Sequence, residues 1–241
     1  MRPVTLIIPV LDEEHALPRL IASLAALDPK PAEIIVVDGG SSDASRRIVK
    51  DAGLRLIETP TGRALQINAG VTAAASPLVC VLHADTIAPA DMVAVICSTL
   101  ADQAVALAGF TPLIRGPDKV RWFTTFHNWI KTWYAPLVTR PHLFFRGVRL
   151  LFGDHAMFFR RDQYLLVGGC DPGTPVMEEA DLCIKMARLG RIKLVARWIE
   201  TSDRRITAWG PLKANWIYFK IGILWALGAR ARLEQYYPHV R

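Results

Sequence analysis

The feature that most constrains this chain is a repeated alternation over its first hundred residues. Short, unbroken apolar runs alternate with segments whose apolar residues recur at helical spacing. Residues 5–10 (TLIIPV), 33–38 (EIIVVD), 54–59 and 78–85 (LVCVLHAD) read as strands. Residues 14–26, 41–51, 62–75 and 89–101 read as helices between them. In the first helix Leu17, Leu20, Ile21 and Leu24 share a face. Strands that are apolar throughout need cover on both faces. The pattern therefore predicts an α/β fold, a mostly parallel twisted sheet with helices on both sides. With 241 residues, there is enough chain for one such core.

The second half is less regular. Residues 105–114, 156–159 and 192–199 read as strands; residues 121–137, 162–167 and 179–189 read as helices. Residues 215–236 form an expected helical tail, so we place one domain over residues 1–210 and an apolar, basic tail over 211–241. Apolar residues make up 51% of the chain and the net charge is +7, which excludes a disordered polyampholyte and suits an anionic partner. A nucleotide diphosphate, a nucleic acid and an acidic membrane surface all meet that description. None of the four cysteines forms a C-x-x-C pair, so no zinc site is expected. Cys80 and Cys97 lie in apolar runs and are expected to be buried. Met1-Arg2-Pro3 leads straight into a strand-like run, without the order of a signal peptide. A cytoplasmic protein is expected. The apolar stretch 216–231 is too short to span a bilayer and is interrupted by Lys220. A buried or interfacial helix is expected there.

In open parallel sheets, ligands bind beyond the carboxyl ends of the strands. Asp12 and Glu13 follow the first expected strand, Asp38 ends the second and Asp85 ends the fourth. Any one of these acids could be a helix cap or turn residue; together they favour a site. In Asp38-Gly39-Gly40-Ser41-Ser42-Asp43 the glycines permit a tight turn and close approach of a ligand. Neither a G-x-G-x-x-G nor a phosphate-binding G-x-x-x-x-G-K-[ST] loop occurs.

Several ordered motifs then resemble family 2 glycosyltransferases of the GT-A fold. Pro9-Val10-Leu11-Asp12-Glu13 resembles the family's P-V-x-N-E, and VVDGGSSD its V-V-D-x-x-S-x-D. Residues 62–70 (GRALQINAG) resemble G-x-x-x-A-x-N-x-G, and His83-Ala84-Asp85 the D-x-D metal motif. GDHAMF (153–158) and MEEADL (177–182) resemble its later motifs, so the likeness runs over about residues 4–206.

That resemblance implies a hexosyltransferase using a UDP- or GDP-type nucleotide sugar, with Mg²⁺ or Mn²⁺ and without a nucleic-acid partner. It implies that Pro9, Leu11, Glu13, Asp38 and Gly39 hold the nucleoside, with His83 and Ala84 beside it. It assigns the metal to Asp85 and the diphosphate to Arg63. It makes Glu179 the general base of an inverting transfer, where the family usually carries Asp. The leaving nucleoside diphosphate carries charge that a divalent cation would stabilise. His83 replaces the first acid of D-x-D and is a poorer ligand for a hard cation. Asp181 is the fallback base. Arg204 and Arg205 are further diphosphate candidates, because guanidinium offers fork-shaped donors. Arg160-Arg161 reads as structural or acceptor-side.

Trp122, Phe126, Trp129 and Trp133 recur on one helical face with Lys119, Arg121 and Lys131 nearby. Such a face suits a membrane interface at the inner side of the cell membrane, or a lipid or glycan acceptor; core or oligomer packing is the other reading. Two rival functions stay open: a sugar nucleotidyltransferase and a non-catalytic nucleotide-sugar-binding protein. The first would open with a Gly-rich basic loop, where this chain has PVLDEE.

Overall fold

The computed structural model describes residues 2–229 apart from Pro175, and says nothing of the side chains of Arg205 and Pro211. Eight strands form one sheet: β1 (Val4–Val10), β2 (Glu33–Asp38), β3 (Arg55–Glu58), β4 (Leu78–Val81), β5 (Thr86–Ile87), β6 (Val105–Arg115), β7 (Phe158–Arg160) and β8 (Arg191–Ser202). Their order is β3-β2-β1-β4-β7-β6-β8-β5. The β3-β2-β1-β4 half is parallel, as the alternation predicts. The other half is mixed. β7 runs antiparallel to both β4 and β6, while β6 and β8 pair in parallel through two register shifts.

Between the strands lie α1 (Leu17–Ala25), α2 (Ser45–Asp51), α3 (Arg63–Ala73) and α4 (Met92–Ala101). Later come α5 (Trp122–Thr139), α6 (Pro141–Phe144), α7 (Arg161–Leu166), α8 (Glu178–Met186), α9 (Arg204–Trp209) and α10 (Pro211–Ala226). Alternation along β1 divides the core. Leu6 and Ile8 join Leu17, Leu20, Met92 and Ile96 on one face. Ile7 joins Ile67, Val71, Phe159 and Cys183 on the other. Both faces are covered, which is why these strands are apolar at every position.

Several boundaries differ from expectation for local reasons. α1 begins at Leu17 because the Glu13 carbonyl first accepts the amides of Ala16 and Leu17 in a turn. β4 stops at Val81, since residues 83–86 close a turn through Thr86 N–H to the His83 carbonyl. Asp85 therefore stands in a turn, not on a strand. β5, α6, α9 and a 3₁₀ turn at Gly153–His155 are too short to show periodicity. The tail helix starts at Pro211, where proline suits the first helical turn; the part expected over 230–236 lies outside the described residues. Its inner side packs on the domain through Ile221 and Trp225.

Polar side chains bind the layers where the backbone alone cannot. Buried Gln66 donates from Nε2 to the carbonyls of Val10 and Val37, both at 2.8 Å. It thus ties the ends of β1 and β2 to α3. Asn68 ties α3 to the turn before α8, donating to the Cys170 carbonyl and accepting from its amide and from Tyr164. Arg160 donates to the carbonyls of Leu100, Asp102 and Val105, and Arg161 to those of Val71 and Thr72, so both are structural. All four cysteines are free thiols. Cys80 is buried as expected; Cys97 is only partly so, on the flank of α4 with its thiol toward the Arg2 carbonyl.

Gly70 lets α3 lie close on the sheet. A β-carbon there would come within 2.5 Å of Ile7 Cγ2 and 3.1 Å of Val37 Cγ2. Gly70→Ala is expected to destabilise the fold by about 1–3 kcal/mol, the range for overpacking a core. Urea unfolding would measure it; an unchanged midpoint would show that α3 can shift freely.

Candidate active site

The loop after β1 and the loop after β2 are laced together. Asp12, in a left-handed conformation at φ 52°, accepts from the Ser42 amide at 2.7 Å. Its own amide donates to Ser41 Oγ, and the Glu13 amide to Ser45 Oγ. Glu14 accepts from the Ala44 amide. Asp12 and Glu14 are thus engaged in structure, and Glu13 is the acid that faces elsewhere. Arg204, at the start of α9, forks onto it: Nη1 to Oε2 at 2.9 Å and Nη2 to Oε1 at 2.8 Å. The same Nη2 lies 3.8 Å from Asp85 Oδ2. The bond to Glu13 raises the Arg204 pKa, against the opposing effect of burial. Arg204 therefore sits as a fixed cation between two of the expected site acids. Arg205 follows on the same helix, and its side chain lies outside the described residues.

Asp38 is both a turn acid and something more. Its Oδ2 accepts the amides of Gly40 and Ser41 at 2.9 and 3.0 Å. Its Oδ1 is buried and has no hydrogen-bond partner. An acceptor left in that state costs about 1–3 kcal/mol until something donates to it. Gly39 stacks against the Gln66 amide, and its carbonyl accepts Thr61 Oγ1 at 2.6 Å. That contact places Gly62 and Arg63, the entry to α3, beside Asp38. Pro9 lies in β1 opposite Val37, with Leu11 partly buried just beyond the strand. Ala84 packs its methyl group into the core, so it can meet a ligand only through its backbone.

The second group of charges gathers at the start of α8. Glu178 and Glu179 are its first two residues and both are buried. Arg63 lies across them, with Nε 3.7 Å from Glu178 Oε1 and Nη1 3.6 Å from Glu179 Oε1. His83 Nε2 stands 3.8 Å from Glu179 Oε1, and both atoms are buried without a hydrogen-bond partner. Gly153 closes the space. A β-carbon there would run into the His83 ring and come within 2.8 Å of Glu179 Oε1. Next to it, Asp154 accepts from Asn128 and pairs with His155 Nδ1 at 3.0 Å. Burial opposes the Asp154 charge, but His155, Lys131 and His83 outweigh it and hold the carboxyl well below its usual range.

The two glutamates are pushed apart in acidity. Burial, then the neighbouring Glu179 charge, raises the Glu178 pKa against the pull of Arg63. Burial also disfavours the Glu179 charge, yet His83 and Arg63 overcome it and lower its pKa. Arg63 and His83 thus favour negative charge on Glu179, and burial beside that charge disfavours a second one on Glu178. The helix amino terminus adds to the stability of that charge.

These contacts link the expected residues into one arc over the ends of β1, β2 and β4: Asp38, Arg63, Glu179, His83, Asp85, Arg204 and Glu13. Asp181 faces another way; it accepts from Trp225 Nε1 at 3.1 Å and from Thr174 Oγ1 at 3.3 Å. Among the described residues, no three His, Cys, Asp or Glu side chains gather as a metal cluster. Glu178 as the less acidic partner of Glu179 and Gly153 as the wall of the site were not singled out from the sequence. The only signal was their place in the MEEADL and GDHAMF motifs.

The fold and the order of its motifs place the chain in a known family. The family description "Glycosyl transferase family 2" matches residues 5–165, and the chain belongs to that family. An uncharacterized glycosyltransferase of Mycobacterium tuberculosis (strain H37Rv) is 34% identical over 83 residues. A relative in Mycobacterium bovis matches equally; in each case the match covers 34% of this chain and 36% of the relative. The chain is thus aligned with about a third of the length of these relatives. Among solved structures, glucosyl-3-phosphoglycerate synthase of M. tuberculosis, in complex with Mn²⁺, UDP and glucosyl-3-phosphoglycerate, has a TM-score of 0.64 at 20% identity. It covers 94% of this chain and 80% of its own. S. aureus TarS 1–349 in complex with UDP has a TM-score of 0.64 at 14% identity, covering 83% of this chain and 60% of its own. These likenesses establish the GT-A fold.

The raised Glu178 pKa has a pH signature. The native state keeps this proton while the unfolded chain loses it near the ordinary value of 4.5. Stability from this group is complete below that value and falls as pH rises towards the folded pKa. Glu178→Gln removes the titration. Its thermal midpoint should gain on wild type as pH rises from 4.5 to 8, with the two converging on the acid side. Parallel pH profiles would show that Glu178 is ionised in the fold.

Proposed function

We propose that this chain transfers a hexosyl group from a UDP- or GDP-type nucleotide sugar to an acceptor hydroxyl or carboxylate, with inversion at the anomeric carbon. The observation that carries this reading is Glu179 Oε1: buried, without a hydrogen-bond partner, and beside Arg63 and His83, in one arc with Asp38 and Asp85. In the reading, Asp38 Oδ1 accepts an N–H of the base. Pro9, Leu11 and Gly39 line the nucleoside, beside the backbone of Ala84. A hydroxyl acceptor gives its proton to Glu179. Its oxygen forms the new bond to the anomeric carbon while the bond from that carbon to the diphosphate oxygen breaks. The nucleoside diphosphate leaves with the electron pair.

Asp85 fits a cation held jointly with substrate. It is one carboxylate at a turn, and Mg²⁺ characteristically takes one or two protein carboxylates and completes its shell with phosphate oxygens and water. Mg²⁺ or Mn²⁺ there would neutralise charge developing on the diphosphate. His83 Nε2 is directed at Glu179, so we assign it to orienting the base. Arg204 serves the same diphosphate from the Glu13 side.

Arg63 links donor binding to base strength. While its guanidinium lies on Glu179, negative charge is favoured there and the carboxylate is a weak base. A diphosphate that draws Arg63 away would raise the Glu179 pKa towards the range where general bases work best. The acceptor class favoured by the exposed aromatic helices is a lipid, met at the inner face of the membrane.

Calorimetry with UDP- and GDP-sugars, with and without Mn²⁺, tests the donor. Transfer should require the metal, and Asp85→Ala should abolish it while the protein stays folded. Glu179→Gln should lower turnover by about 10²–10⁴-fold with donor affinity retained. Full transfer in EDTA and in Asp85→Ala would remove the metal from the reading. Tight donor binding without turnover across many acceptors would favour a binding protein instead.

A further inference from the structure

Helix α5 is built inside out. The residues it buries are Thr124, Thr125, Asn128, Thr132 and Pro136. Those it exposes include Trp122, Phe126, Trp129, Trp133 and Leu137, with Trp122 66% and Phe126 59% accessible. A helix on a water-soluble surface carries the reverse pattern. The exposed set falls at i, i+4, i+7, i+11 and i+15, a single stripe. Rings of Phe126, Trp129 and Trp133 follow one another at centroid spacings of 6.0 and 6.3 Å. Helix α10, packed beside α5, repeats the spacing with Leu212, Trp216, Phe219, Ile223 and Leu227, all exposed.

Charge around the two stripes has one sign. Residues 119–153 and 206–229 contain no Asp or Glu, yet carry eight Lys and Arg residues. Carboxylates that reach these helices from elsewhere are engaged on the inner side: Asp154 with Asn128, Asp181 with Trp225, Asp203 with Arg121. Arg149 stacks on Trp133 at 4.4 Å, a cation held at the edge of the aromatic stripe. No described helix is long and apolar enough to cross a membrane.

We propose that α5 and α10 together form a docking face for an anionic phospholipid bilayer. The helices lie in the interface, aromatic side in the acyl boundary and basic side chains among the headgroups. An aqueous pairing of two copies through this face would set two basic surfaces against each other. The face is also wired to the site. Asn128 and Thr132, on the inner side of α5, hold Asp154 and His155, which follow Gly153 at the His83–Glu179 contact. Docking is therefore coupled through α5 to the segment that packs on the His83–Glu179 contact. The docking does not rest on the transfer reading; only the lipid nature of the acceptor does.

Sedimentation with vesicles tests it without any sugar nucleotide. Full-length protein should pellet with vesicles of equal parts phosphatidylcholine and phosphatidylglycerol, and at least about ten-fold less with phosphatidylcholine alone. Phe126→Asp with Phe219→Asp, both at exposed positions, should retain the wild-type circular dichroism and lose at least about ten-fold in partition. Glu179→Gln should bind like wild type, so loss of transfer and loss of docking are read separately. Wild type left in the supernatant with anionic vesicles would overturn the proposal. So would a wild-type dimer in light scattering that the same double substitution turns into monomer.

Discussion

Everything at the site depends on β1 being paired in parallel on both sides. β2 and β4 flank it, and the register sets Val10 beside Asp38. Parallel strands end at the same edge, so the loops carrying Asp12–Glu13, Asp38–Gly39 and His83–Asp85 leave the sheet together. No antiparallel arrangement of the same strands would do this. The Val10 carbonyl accepts the Gly39 amide where β1 and β2 leave the sheet, and the Gln66 amide donates both to it and to the Val37 carbonyl. One buried amide thus clasps the ends of β1 and β2 together and satisfies both of its own donors.

Around that mouth the chain concentrates buried charge and compensates it unevenly. Arg204 forks both terminal nitrogens onto Glu13, with its buried Nε left without a hydrogen-bond partner. Arg63 spreads one cation over two glutamates at distances beyond a hydrogen bond. His83 Nε2, Glu179 Oε1 and Asp38 Oδ1 stay unpaired. Buried polar atoms left in this state are uncommon, and they cluster where a ligand completes them. The contrast between the tight Glu13–Arg204 pair and the loose Arg63–Glu179 contact separates a scaffold from groups that can move.

The parallel half of the fold was legible because its strands are apolar at every position and its helices are periodic. The mixed half was not. β7 is three residues long and β5 two, and nothing local states which neighbours they pair with. Asp38, Asp85 and Glu179 could be located through ordered motifs, since each motif falls at the end of a strand or the start of a helix. Glu178 could not be separated from Glu179 by sequence, because their difference in acidity is a product of burial and of Arg63, which is 115 positions away by numbering. The aromatic stripe on α5 was visible as a period. Its direction was not, since a helical wheel reads the same whether its apolar side faces in or out. The threonines and Asn128 on the opposite face decide it, through what they hold inside.

The Glu13–Arg204 pair joins residues 191 positions apart. A ribosome adding about 5–20 residues per second reaches Arg204 long after β1, β2 and β4 have emerged. Through that interval the growing chain carries Glu13 and Asp85 without their shared cation. The sheet can form early, but the acidic side of its mouth is completed only by nearly the last segment of the described chain. Synthesis itself thus orders events: the scaffold first, then the charge-balanced site, and with it in the same closing stretch the apolar helix α10.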